Sequence, residues 1–120
     1  VRPVPAATGP EAIARGLHIA QTRGCLDCHG KDLGGAKIVE DPAIGRWHGP
    51  NLTRGAGGVP PDFGDLDFVR SIRHGVNREG RPYMLMPSHE FARFSDRDMS
   101  DLVRRAILYF VSTFITRHQI

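Results

Sequence analysis

Residues 24–30 read GCLDCHG, and Cys25 and Cys28 are the only cysteines in the chain. Two thiols three residues apart, followed at once by an imidazole, constrain this sequence more than any other feature. Three chemistries use such spacing: zinc binding, dithiol redox exchange and covalent haem attachment. A structural zinc site takes four ligands, whereas Cys25, Cys28 and His29 supply at most three. No second C-x-x-C or H-x-x-x-H completes the set, and adjacent Cys28 and His29 are badly placed to share one tetrahedral ion. A thioredoxin-type dithiol sits in a βαβ pattern, which is missing here, and gives the histidine no role.

Covalent haem uses all three residues. Two thiols at this spacing can add to the two vinyl groups along one porphyrin edge. The next residue then reaches beneath the ring, where its imidazole becomes the proximal iron ligand. The motif predicts one haem c, bound through Cys25 and Cys28, with His29 on the iron.

The rest of the composition agrees with a chain that wraps a cofactor. At 120 residues it is one domain with room for a modest core. Gly and Pro together contribute 23 residues (14 + 9), many of them between positions 30 and 64. A chain so short and irregular needs something to pack around. The net charge of +3 is a mild bias towards acidic partners, and two haem propionates would erase most of it. No Lys/Arg run interleaves with aromatics, so nucleic-acid binding is not expected. The most apolar stretch, AILYFVSTFI at 106–115, is about half a membrane span. The opening VRPVPAATGP reads as a linker or processed N-terminus over residues 1–8, leaving residues 9–120 as the domain.

The expected architecture is all-α, with three main helices and long loops. The first helix begins near Pro10, with Thr8 and Glu11 at capping-box spacing, and ends at Gly24. Ile13, Leu17 and Ala20 mark its apolar face, with Ile19 beside them. Residues 30–64 show no periodicity, and a loop of that length in a compact domain indicates a functional wrap. A second helix covers 65–74, with Leu66, Val69 and Ile72 inward and Gly75 at its end. A short turn starts at Ser88. The third helix begins at Ser95, and Met99, Leu102, Val103, Ala106, Phe110 and Phe114 form its stripe. No strand is expected.

The methionines are Met84, Met86 and Met99. Met99 belongs to the helical stripe and reads as core. Met84 and Met86 lie in the loop RPYMLMPSHEF. Pro87 stiffens the backbone after Met86 and restricts Met86 to an extended conformation, which favours Met86 as a sulfur ligand held in place. Of the histidines His18, His48, His74, His89 and His118, His48 and His89 are the alternative distal ligands.

With these pieces placed, the chain resembles the class I c-type cytochromes, and among them the bacterial mono-haem modules that occur alone or attached to respiratory dehydrogenases and oxidases. The likeness is carried in order by RGLHIA, CLDCHG, GPNLT at 49–53, DLDFVRSIRHGV at 65–76, EGRPYMLMPSHEF and FSDRDMSDLV. The resemblance implies a class I fold wrapped around one covalently bound haem, with thioethers at Cys25 and Cys28 and His29 as proximal ligand. It implies Met86 as the distal ligand through the Met-Pro pair. It implies that the Pro50 carbonyl accepts a hydrogen bond from the second ring nitrogen of His29, that Leu52 packs on the haem face, and that Gly16 lets the first and last helices cross closely. One departure stands out: where such cytochromes place an aromatic facing that glycine, this chain has Arg105, with Tyr109 one turn later. Trp47, Tyr83, Arg46 and Arg81 are candidate propionate partners, more simply read as packing and solvated surface.

An iron with both axial positions filled by protein changes charge more readily than it activates a substrate. The expected function is therefore one-electron transfer, cycling Fe(II)/Fe(III) with His/Met ligation between redox protein partners, namely a membrane or periplasmic dehydrogenase, reductase or oxidase. The alternative is a haem enzyme or a gas or redox sensor with an open distal site. The family implies a periplasmic or extracytoplasmic location, and the linker-like start is compatible with a membrane tether.

Overall fold

The computed structural model describes residues 1–53 and 55–105. The chain is mostly helical with one small sheet. Helix α1 spans Gly9–Thr22 and starts with Pro10 in its first turn and Glu11 at its positive end. The Thr8 side chain makes no capping hydrogen bond, so the capping box expected with Glu11 does not form. Gly24, at φ +81°, turns the chain into the short helix α2, Cys25–His29.

Strands β1 (Ala36–Asp41) and β2 (Gly45–Gly49) then form an antiparallel hairpin in which Val39 faces Trp47. This corrects the expectation of an unstructured loop and of an all-α chain. A bulge between Lys37 and Val39 breaks the two-residue period, so no clean alternation reaches the sequence. The turn is local: Asp41 Oδ1 accepts the Ala43 N–H at 2.7 Å, and Gly45 takes φ +113°.

Helix α3 spans Asp65–Val69 and runs on without a break into a π-helical turn over Arg70–His74, closed by Gly75 at φ +66°. Helix α4 is the single turn Ser88–Phe91. Residues 96–105 form helix α5, whose start is capped by Ser95 Oγ accepting the Asp98 N–H at 3.1 Å. Ala106, Tyr109, Phe110, Phe114 and His118 lie outside the described residues.

The core joins α1, α3, the π turn, α4 and α5. Val69 and Met99 are fully buried, with Leu33, Phe68, Ile72, Phe91, Leu102 and Val103 around them. Each such side chain contributes roughly 1.5–3 kcal/mol over its exposed state. On α3, Phe68 replaces Leu66 as an inward residue; Leu66 is 40% exposed.

On α1 the buried ridge is Ala12, Gly16 and Ala20, offset by one residue from the expected Ile13 and Leu17, which are half-buried. The reason is the closeness of α5: a Cβ on Gly16 would meet the Asp101 carbonyl oxygen at 2.1 Å and Arg105 Cβ at 2.7 Å. Arg105 therefore faces the crossing glycine with the base of its own side chain. Arg15 reaches from the same helix to Asp101, Nε donating at 2.8 Å.

The first eight residues precede α1 without helix or strand. Arg2 forks onto the Asp96 carboxylate, with Nη2 donating at 3.0 Å, and Arg73 Nη2 reaches the same carboxylate at 3.2 Å. Val4 packs against the core.

Candidate functional site

Helix α2 displays the C-x-x-C-H residues on one turn. Cys25 and Cys28 are unpaired, half-buried thiols, and His29 is 8% exposed. His29 Nδ1 donates to the Pro50 carbonyl at 2.9 Å. With Nδ1 carrying that proton, the second ring nitrogen Nε2 keeps its lone pair for a ligand. Burial also lowers the His29 pKa, only partly offset by the Pro50 hydrogen bond, which holds the imidazole in the neutral form a metal requires.

Backbone contacts seat α2 against the hairpin. A Cβ on Gly49 would lie 1.6 Å from the Cys28 carbonyl oxygen, so only a glycine fits. Gly35 N–H donates to the His29 carbonyl at 2.7 Å, and Leu52 N–H to the Leu33 carbonyl at 2.8 Å. Leu33 is buried at φ +59°, a left-handed conformation that its burial in the core and this hydrogen bond hold in place. Beyond Pro50, Asn51 Oδ1 accepts from Thr53 N–H at 2.8 Å and from the Thr53 hydroxyl at 2.6 Å, which fixes the turn after the GPNL run.

Cys25, Leu52 and Met86 are half-buried and pack on the same hydrophobic cluster. Met84 is 82% exposed, and Met99 is sealed in the core. His48 and His89 are both exposed, with His89 beside Glu90. Among the other candidates, Arg46 pairs with Glu40 at 3.4 Å, Trp47 Nε1 donates to the Ile44 carbonyl at 3.4 Å, the Tyr83 phenol lies 3.1 Å from Ser71 Oγ, and Arg81 is exposed. The roles of Gly49 and Ser71 went unread in the sequence, where the first was only a letter in GPNLT; Ser88 was read only as the start of a short turn, which it is.

The chemistry of this donor set discriminates among the three uses of the motif. A dithiol oxidoreductase needs a stabilised thiolate, yet burial pushes the Cys25 thiol up to about 11. No group of three or more His, Cys, Asp or Glu able to hold a metal ion occurs among the described residues. Two half-buried thiols beside a neutral, oriented imidazole, with Leu52 and Met86 packed on an apolar cluster, fit a covalently attached haem.

No protein-family model matches the chain. It is 32% identical over 92 residues to the cytochrome c subunit of the quinone alcohol dehydrogenase of Gluconobacter oxydans (strain 621H), covering 72% of this chain and 19% of that protein. It is 32% identical over 95 residues to the gluconate 2-dehydrogenase cytochrome c subunit of Pantoea cypripedii, covering 75% of this chain and 21% of that protein. The chain thus spans about a fifth of the length of these curated relatives. Cytochrome c relatives imply a haem c cofactor.

Proposed function

Similarity to the cytochrome c subunits of dehydrogenases supports a c-type cytochrome domain, and from that premise we propose that this chain is a class I, mono-haem electron carrier with His29 and Met86 as its axial ligands. Cys25 and Cys28 hold the haem as thioethers. When bound, haem supplies the one-electron Fe(II)/Fe(III) couple. The chain's own residues set how that couple is used.

The observation that carries the reading is the His29 Nδ1–Pro50 hydrogen bond at 2.9 Å, directly after the paired cysteines. It fixes the imidazole plane and tautomer and raises its basicity towards a metal. Leu52, half-buried against the core cluster, would offer apolar surface to the haem face. Met86 brings a thioether, which favours the reduced state relative to a second nitrogen donor. With both axial positions taken by the protein, no substrate needs to reach the iron.

The partners follow from the same reading. The carrier receives or delivers electrons at a dehydrogenase, as a subunit or a domain of it, with a reductase or oxidase on the other side. It works in the periplasm or on the extracytoplasmic face of the membrane. No helix among the described residues is long and apolar enough to cross a membrane. A haem enzyme or sensor with an open sixth position calls for a distal acid–base group, and the candidates His48 and His89 are both exposed.

The test is the visible spectrum of the oxidised holoprotein. A weak far-red sulfur-to-iron band is expected, and Met86→His should abolish it while leaving a low-spin iron. A high-spin spectrum in the unmodified protein would overturn the carrier reading in favour of the enzyme or sensor. A low-spin spectrum without the band would replace Met86 by a nitrogen ligand.

A further inference from the structure

The segment that carries Met86 is tied down at both ends to a single turn of helix. Before it, the Tyr83 N–H donates to the Gly75 carbonyl at 2.8 Å, and the Tyr83 phenol lies 3.1 Å from Ser71 Oγ. After it, the Ser88 hydroxyl donates to the Ser71 carbonyl at 3.2 Å, while the Ser88 N–H donates to the Met86 carbonyl at 2.8 Å. Ser71 stands in the π turn, and its carbonyl also accepts the Gly75 N–H at 3.1 Å. Gly75 leaves room for this convergence, because a Cβ there would fall 2.7 Å from Ser88 Oγ.

The approach to the segment is equally stiff. Asn77 Oδ1 accepts from the Glu79 and Arg81 N–H groups at 3.0 and 2.9 Å, and Val76 bridges to Pro82. Between the two anchors, Met84 and Leu85 are exposed at 82% and 52%, so they do little to hold the backbone. Met86 turns back onto the core. What positions residues 84–86 is therefore the pair of anchors at Tyr83 and Ser88, and both converge on Ser71.

We propose that Ser71 is the positioning residue for the sixth haem ligand, acting through Tyr83 and Ser88 to hold Met86 in place. The proposal rests on the Met86 ligation put forward above. An external ligand reaches the iron only when Met86 and its segment move away. Its apparent affinity then scales with the population of that displaced state. Each anchor removed raises the population and tightens external ligand binding by the same factor.

The experiment is an imidazole titration of the oxidised holoprotein with Tyr83→Phe, Ser88→Ala, Ser71→Ala and the pairwise combinations. From the usual net value of a hydrogen bond, each single variant should bind imidazole about threefold to tenfold more tightly, and Tyr83→Phe/Ser88→Ala about tenfold or more. Ser71→Ala and Tyr83→Phe break the same bond, so combining them should add nothing. Ser100→Ala, which loses a 2.6 Å bond to the Asp96 carbonyl within α5, controls for plain destabilisation and should leave imidazole binding unchanged.

Imidazole affinity within twofold of wild type in both Ser71→Ala and the Tyr83→Phe/Ser88→Ala protein, with the far-red band intact, would overturn the role of Ser71 and leave Met86 as ligand. Additive effects of Ser71→Ala and Tyr83→Phe would overturn it as well. Persistence of the band in Met86→Ala would remove the ligation reading and this proposal together.

Discussion

Gly16 and Asp101 pack backbone to backbone: a Cβ on the glycine would lie 2.1 Å from the Asp101 carbonyl oxygen. The crossing of α1 and α5 is set by this pair, and Arg105 lies beside it, its Cβ 2.7 Å from where a Gly16 Cβ would stand. In a free helix Gly→Ala stabilises by about 1 kcal/mol. Here the new methyl meets a carbonyl that no rotamer change can move, and the two helices must separate. Overpacking of that kind costs about 1–3 kcal/mol. The steric effect outweighs the propensity gain, so Gly16→Ala should lower the midpoint of denaturant unfolding. An increase would show that α1 and α5 do not cross at this residue.

Gly49→Ala should act on cofactor attachment itself. Its Cβ would collide with the Cys28 carbonyl oxygen at 1.6 Å and displace α2 from the hairpin. Expression with the haem-attachment machinery should give mostly haem-free chain, measured by mass spectrometry against visible absorbance. Gly64→Ala has nothing within 4 Å of its new Cβ and should load like wild type.

Thr53 is fully buried, and its hydroxyl both donates to Asn51 Oδ1 at 2.6 Å and accepts the Gly55 N–H at 3.2 Å. Thr53→Val keeps the shape and strips both bonds. Stability should fall by about 1–2 kcal/mol, the usual toll of buried groups left without partners. Equilibrium unfolding of the two proteins in guanidinium measures the difference; equal midpoints would mean that the turn after Pro50 is held by packing alone.

Asp67 contributes to the acid limb of the stability profile. Hydrogen bonds from Arg78 above all, then the Gly64 N–H, the Arg78 charge and Arg70, hold its carboxyl down to about 2, against an ordinary value of 3.8. Because the folded value lies below the unfolded one, the stabilisation is complete above about pH 4 and is lost as pH falls towards 2. Asp67→Asn should therefore melt below wild type at pH 5, with the gap closing as pH falls towards 2. A gap that stays constant with pH would place the effect in packing rather than charge.

Met84→Ala should be close to silent. Its side chain is 82% exposed, and substitutions of that kind usually change stability by no more than about 0.5 kcal/mol. Holoprotein spectra of Met84→Ala and Met86→Ala separate the two thioethers: the far-red band is expected to survive the first and vanish in the second. Loss of the band in Met84→Ala would reverse the assignment.

Much of this fold could be read from the sequence because its signals are local. Gly24 and Gly75 end helices where left-handed backbone is needed, and Ser95 caps α5 through its own hydroxyl. At the candidate site the hydrogen bond of His29 to the Pro50 carbonyl agrees with the expectation drawn from GPNLT. The hairpin escaped because a bulge between Lys37 and Val39 spoils its period and β1 is exposed at four of its six positions. The inward face of α1 was misjudged by one residue because a ridge of Ala12, Gly16 and Ala20 looks less apolar than the neighbouring Ile13 and Leu17. Gly49 and Ser71 gave no signal at all, since only the folded chain brings their partners near: the Cys28 carbonyl in one case, the Tyr83 phenol and the Ser88 hydroxyl in the other.

The hairpin of β1 and β2 leaves and re-enters the molecule at one sealed gate. Gly35 and Gly49 flank that gate, bonded to or pressed on the backbone of His29 and Cys28, and Leu52 is already back at Leu33. Lengthening or trimming such an excursion changes its closure entropy by only about 0.6 kcal/mol per doubling. On closure entropy alone the excursion between Gly35 and Gly49 can therefore change length at little cost, while the contacts of those two glycines keep the backbone of Cys28 and His29 seated.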